Sequence, residues 1–240
     1  MEMKKLDFAE TLKDSIAIGV KNAPSVVVAV ALWLVTIWIP YINIGTTIAI
    51  SLLPVELAKG SVINPLGIFD SKYRRYMGEY LITAGLMVIP IYIAFVFMIV
   101  PGIVLSLSWA LSFYFLLGKG KKPMQAIKAS NDATYGSKWT MFLVTLVFGI
   151  MVGIVFGILY AICLAINVGF ITFLVMFVLI VLAASVRMAI DASFWKQLKD
   201  NVDKFTALFP KDGLRVVFFC LGPNILSKND KYYLFFENKY

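Results

Sequence analysis

The 22 basic and 14 acidic side chains of this chain fall in four patches, and the stretches between the patches carry no charge. The patches are Met1–Lys21, Glu56–Glu79, Lys119–Lys138 and Arg187–Tyr240. The gaps, Asn22–Val55, Tyr80–Gly118 and Trp139–Val186, are apolar. A spanning helix needs about 20 apolar residues to cross a hydrocarbon core of about 30 Å. Each gap is too long for one crossing and suits two. Midway through each lies a charge-free break: Pro40-Tyr41-Ile42-Asn43, Pro101-Gly102 and Asn167-Val168-Gly169.

Composition agrees. The chain is 60% hydrophobic and 15% charged, against about a quarter charged in soluble domains. Such a chain cannot hide its apolar surface from water, so its solvent is lipid. The net charge of +8 could suggest nucleic acid, but the charges flank apolar spans. The positive-inside rule accounts for them. With each gap folded as a hairpin, every Lys and Arg faces the cytoplasm, both termini are cytoplasmic, and the three breaks face outward. The predicted localisation is a prokaryotic plasma membrane. The predicted partners are membrane lipids, with anionic headgroups at the cytoplasmic face, and a protein partner or a second copy. No nucleic acid is expected.

The predicted fold class is an all-α integral membrane protein of six spans in three hairpins, each preceded by a cytoplasmic amphipathic helix. Asp7 and Glu10 form a capping box, and Phe8, Leu12, Ile16 and Gly19 follow at helical spacing, predicting a helix on the inner surface. Span one covers Pro24–Ile39 and span two Ile42–Leu57. A second surface segment contains Ile68, Phe69, Tyr73, Tyr76 and Met77. Span three covers Tyr80–Val100 and span four Ile103–Leu117. The third surface helix starts at Pro123, a residue suited to a first helical position, and runs to Tyr135. Span five covers Trp139–Ile166 and span six Phe170–Ile190. Spans one, two and four are short, roughly 16 residues or about 24 Å. The membrane domain covers residues 1–200. In the tail, 201–240, Leu214–Leu221 and Lys231–Asn238 flank a turn-like segment and predict a β-hairpin. Cys163 and Cys220 sit in different solvents, so no disulfide is expected. No cleavable leader is expected either.

Ala126, Ser130, Gly136 and Trp139 stand in an Ala-x3-Ser-x5-Gly-x2-Trp spacing. With Pro101-Gly102 in the preceding apolar run, this resembles a prokaryotic superfamily of six-span membrane proteins. That group includes the membrane domain attached to some glycerophosphoryl diester phosphodiesterases. Gly60 through Glu79, with Asp70 and Gly78, is similar to the group's segment after span two. The resemblance covers about residues 1–198 and implies a fold. The diesterase activity belongs to a separate soluble domain, so it is not carried over.

Candidate sites follow from chemistry. Arg187 and Asp191 share a helix face, and Glu56 ends span two at the same depth. Ionisable groups beside spans are costly and often functional. An Arg187–Glu56 or Arg187–Asp191 pair would gate a path or bind an anionic headgroup, and the plainer reading is a local ion pair with snorkelling side chains. Gly136 suits a helix C-terminus and Trp139 an interface anchor. Asn43, Thr46, Thr47, Ser51, Ser106, Ser108 and Ser112 would line a polar groove or glue helices together. Gly149, Gly153 and Gly157 form a small-residue stripe. The chain has no histidine and no phosphate-cradling loop, so neither a cofactor nor a catalytic residue is expected. The favoured function is a non-enzymatic membrane protein that organises lipid or serves as membrane partner of another component. The alternative is a small transporter of an amphiphilic peptide or lipid.

Overall fold

The charge-free gaps fold as helices. A computed structural model describes residues 4–60, 63–166 and 169–208. Helix α1 spans Phe8–Thr36, α2 Pro40–Ala58, α3 Met77–Phe97, α4 Ile99–Trp109, α5 Ser112–Lys119, α6 Pro123–Thr134, α7 Lys138–Ile166, α8 Gly169–Leu198 and α9 Asn201–Leu208. Two 3-10 segments, Pro65–Phe69 and Ser71–Tyr76, join α2 to α3. No strand occurs among the described residues. The expected β-hairpin and the turn at Asn167-Val168 lie outside them. The first residues of the predicted tail instead form α9, which packs on α6.

Six helical runs among the described residues are long and apolar enough to cross a membrane, taking 71–97 and α4 with α5 as one run each. Within the most apolar stretch of each, only 6% of α7 and 11% of α8 is buried inside the protein. Phe97, Val100 and Tyr92 on α3 and α4 are exposed, as are Ile150 and Ile158 on α7. Apolar surface loses about 25 cal/mol per Å² when left in water, so these faces require lipid. The chain is a multi-pass membrane protein.

Local structure departs from expectation at the start of the first two units, while the third begins with a helix from Pro123 as expected. Residues 8–36 form one unbroken helix through Pro24, so no separate surface helix precedes span one. The physical reason is tertiary. Thr11 and Ser15 are buried, and the Gln197 amide of α8 donates to Thr11 Oγ1 at 3.0 Å and to Ser193 Oγ at 3.1 Å. The polar face of residues 8–22 finds these partners only by running on alongside α8. Asp7 caps α1 by accepting from Glu10 N–H at 2.7 Å. The reciprocal half of the capping box does not form, because Asp7 N–H donates to Gln197 and Glu10 pairs with Lys4.

The second surface segment is two 3-10 turns. Asn64 accepts from Leu66 N–H and Asp70 from Lys72 N–H, each restarting the chain after a few residues. The Lys72 backbone N–H, and then the Lys72 ammonium, hold the Asp70 carboxyl below its ordinary range. The break between spans three and four falls at extended Met98, and Pro101 and Gly102 lie inside the first turn of α4. Proline is tolerated there because its missing N–H would be unpaired anyway.

The largest buried cluster sits where the charge patches meet. It joins Phe115, Met141, Phe194, Trp195 and Leu198 to the small residues Ala126 and Ala133. Helix α8 is central: it packs along α1 most extensively, then along α2 and α7.

Candidate functional site

Hydrogen bonds and ion pairs gather all four charge patches at one end of the bundle. Lys4 N–H donates to Asn201 Oδ1, and Asn201 Nδ2 donates back to the Lys4 carbonyl and to that of Ala133. Leu6 N–H donates to Ser137 Oγ at 3.0 Å. Lys21 donates to the Gly60 carbonyl, linking the first patch to the second. Lys196 pairs with Asp14 at 2.8 Å, and Lys119 with Asp200 at 4.0 Å. These exposed pairs contribute roughly 0–1 kcal/mol each. The buried Asn201 and Ser137 bonds matter more, because their breakage strands a buried polar group.

The motif residues of α6 face the discontinuity between α4 and α5. Ser130 is fully buried. Its Oγ donates to the Ser108 carbonyl at 2.8 Å and accepts from Leu111 N–H at 3.1 Å. Thr134 adds a weaker contact to the Ser108 carbonyl. Backbone groups freed inside a spanning helix must be satisfied from elsewhere, and Ser130 satisfies two of them. Ala126, also fully buried, lies one turn before Ser130 on the same face, where its small side chain admits the α5 ring cluster. Gly136, at φ +76, follows the end of α6. Trp139 is 74% exposed and meets Phe142 edge-on.

Arg187 and Asp191 pair at 2.8 Å, and Arg187 also donates to Thr145 Oγ1 of α7 at 3.2 Å. The buried phenol of Tyr114 adjoins the Asp191 carboxylate. Glu56 is not part of this group: it pairs with Lys59 at 2.8 Å. Pro101 and Gly102 stand apart from both, with Gly102 under the Phe95 ring.

The hydroxyls expected to line a polar groove are spent on one another. Trp33 donates to Thr47, Thr36 bonds Thr46, and Ser51 bonds Tyr80, tying α2 to α1 and α3. Ser106 and Ser108 donate to carbonyls of their own helix. Of the two readings of these residues, Thr46, Thr47 and Ser51 act as glue between helices, and Ser106 and Ser108 do not. Ser112 Oγ is buried without a partner among the described residues.

An apolar cavity of about 450 Å³ lies elsewhere, between α1, α7 and α8, and a smaller one of about 280 Å³, lined by Glu56, Asn64 and Lys72 among apolar residues, lies between α2 and the 3-10 segments. Leu12, Ile16, Val20, Met151, Leu182 and Val186 are exposed along the larger one. Asn22 also lines it, and no reading of the sequence singled this residue out. The only signal was a polar residue at the very edge of a charge-free gap. No protein-family model, characterised protein or solved structure matches the chain.

Proposed function

We propose that this chain is a non-enzymatic protein of a prokaryotic plasma membrane that organises lipid, or anchors a protein partner, at a cytoplasmic polar face. One observation carries this reading: the four charge patches, far apart in sequence, are stitched together at one end of the bundle. The net charge is +8, and an anionic leaflet attracts basic residues held near its surface by about 1 kcal/mol each. That end is therefore assigned to the cytoplasm, with the breaks near Pro40, Met98 and Asn167 outside and the spans paired as three hairpins. The short surface elements before α3 and α7 then lie at the inner interface. The Ala126–Trp139 motif supports placing the chain in the six-span superfamily it resembles.

The test is lipid retention. Purified full-length protein is expected to carry anionic phospholipid in excess of its share of the source membrane. Replacing the exposed Lys13, Arg75 and Lys122 together with Glu is expected to remove that excess while leaving the fold intact. Wild-type protein with no anionic excess overturns the reading.

Transport of an amphiphile is the second reading. Most hydroxyls expected to line its polar groove bond neighbouring helices or their own helix, and the apolar cavity beside α1 is what favours it instead.

A further inference from the structure

We infer that the cavity between α1, α7 and α8 is a binding site for a single-chain amphiphile whose head carries a hydroxyl or amide donor, received by Asn22 Oδ1. This deepens the lipid reading above and rests on it.

Size and lining set the tail. A cavity of about 450 Å³ falls in the range of small-ligand sites, about 300–1,000 Å³. Its walls are almost wholly apolar, with Val26, Val144 and Ile190 buried and Phe148 half-buried among them. The exposed rim formed by Leu12, Ile16, Val20 and Met151 opens it sideways, so a chain can enter from the bilayer without crossing water.

Asn22 sets the head. It is 1% exposed, and its Oδ1 accepts from nothing among the described residues. Its Nδ2 donates to the Ile18 carbonyl at 3.2 Å, which fixes the amide orientation and leaves the oxygen as the unsatisfied atom. Nearby polar groups cannot supply the missing donor. Ser15 donates to the Thr11 carbonyl at 2.6 Å and Ser185 to the Val181 carbonyl at 2.8 Å, so neither hydroxyl proton is left for Asn22. Pro24 has no N–H to offer the Val20 carbonyl one turn back. The site is thus rich in acceptors, and a buried unpaired acceptor is destabilising until a donor arrives. In a diacyl phospholipid the groups next to the chains are ester and phosphate oxygens, which are acceptors too, and any ammonium or hydroxyl donor lies beyond the phosphate. A monoacylglycerol or an N-acyl compound brings a donor at the foot of one chain.

The experiment compares two photoreactive probes of equal chain length, 1-oleoylglycerol and methyl oleate, on full-length protein in phosphatidylcholine nanodiscs. The glycerol probe, which has donors, is expected to label α7 and α8 around Met151 and Leu182. Unlabelled 1-oleoylglycerol is expected to compete about tenfold better than methyl oleate, the order of one hydrogen bond to an otherwise stranded group. Asn22→Leu is expected to abolish that preference while keeping chain labelling. Ala23→Trp, which fills the cavity, is expected to abolish labelling by both probes. Equal competition by the two compounds in wild type means that any bilayer chain fills the cavity, and overturns the inference. So does a preference that survives Asn22→Leu. Anionic lipid retention is measured on the same preparations: if it persists while the donor preference is absent, only the site assignment fails.

Discussion

Ser130 is a polar residue whose value depends on two backbone groups it could not be known to meet. Its hydroxyl closes the gap between α4 and α5 by serving both the Ser108 carbonyl and the Leu111 N–H. Ser130→Ala is expected to destabilise the protein by about 1–3 kcal/mol, since it strands a buried N–H with no water at hand. Thermal unfolding in detergent measures the loss, and a change within error would show that the break is satisfied some other way. Arg187 and Asp191 were legible as a pair from their i, i+4 spacing alone, and they do pair. The alternative link from Arg187 to Glu56 was not decidable from sequence, because it depends on how α2 and α8 are rotated. Glu56 turns to Lys59 instead.

Among the elements, the turn between α3 and α4 shows how a local rule can locate a break to within a few residues and still misplace it. Pro101-Gly102 read as the turn itself, yet the chain reverses at Met98 and the proline seeds the next helix. Gly102 serves a different purpose. A Cβ there would stand 2.5–2.8 Å from carbons of the Phe95 ring, so the glycine is what lets α3 close on α4. Gly102→Ala is expected to cost about 1–3 kcal/mol by overpacking. The Phe95→Ala/Gly102→Ala double variant is expected to be less destabilised than the sum of the two single changes. Strict additivity in that cycle would mean the ring and the glycine are not in conflict. Helix α1 makes the complementary point. Its apolar spacing was plain, but its alignment along α8 involves Gln197, which donates to Thr11 from 186 residues away.

For the whole molecule, the principal packing is at the charged end and the spans are mostly bare. The physics of lipid as a solvent accounts for that. Between helices in lipid there is no hydrophobic driving force, and association relies on close packing and hydrogen bonds. Phe115, Phe194 and Trp195 pack together near the charged ends of α5 and α8, where close packing of rings adds to the hydrogen bonds. The orientation assigned to this end is open to direct test. Single cysteines at Trp38, Met98 and Phe170, all well exposed, in a background with Cys163 and Cys220 replaced, are expected to react with a membrane-impermeant thiol reagent added outside intact cells. Reaction only after lysis at any of the three sites would break the scheme. Met98 is the better marker of the second turn, because Gly102 is buried.

Sequence by itself determined the solvent, the six apolar runs and, for the second and fifth of them, the residues at which they begin and end. Charge and hydrophobicity are priced residue by residue at the lipid boundary, so a one-dimensional pattern carries that information. Capping at Asp7 and the glycine after α6 were legible for the same reason, since their partners lie within a few residues. Only the tertiary structure decided which polar groups are satisfied. It gathered the four patches at one end, tied hydroxyls of α2 to α1 and α3, placed Ser130 at the α4–α5 break, and left Asn22 Oδ1 without a donor among the described residues, beside an apolar cavity. Each of those outcomes depends on the rotation of one helix against another, which no local pattern encodes.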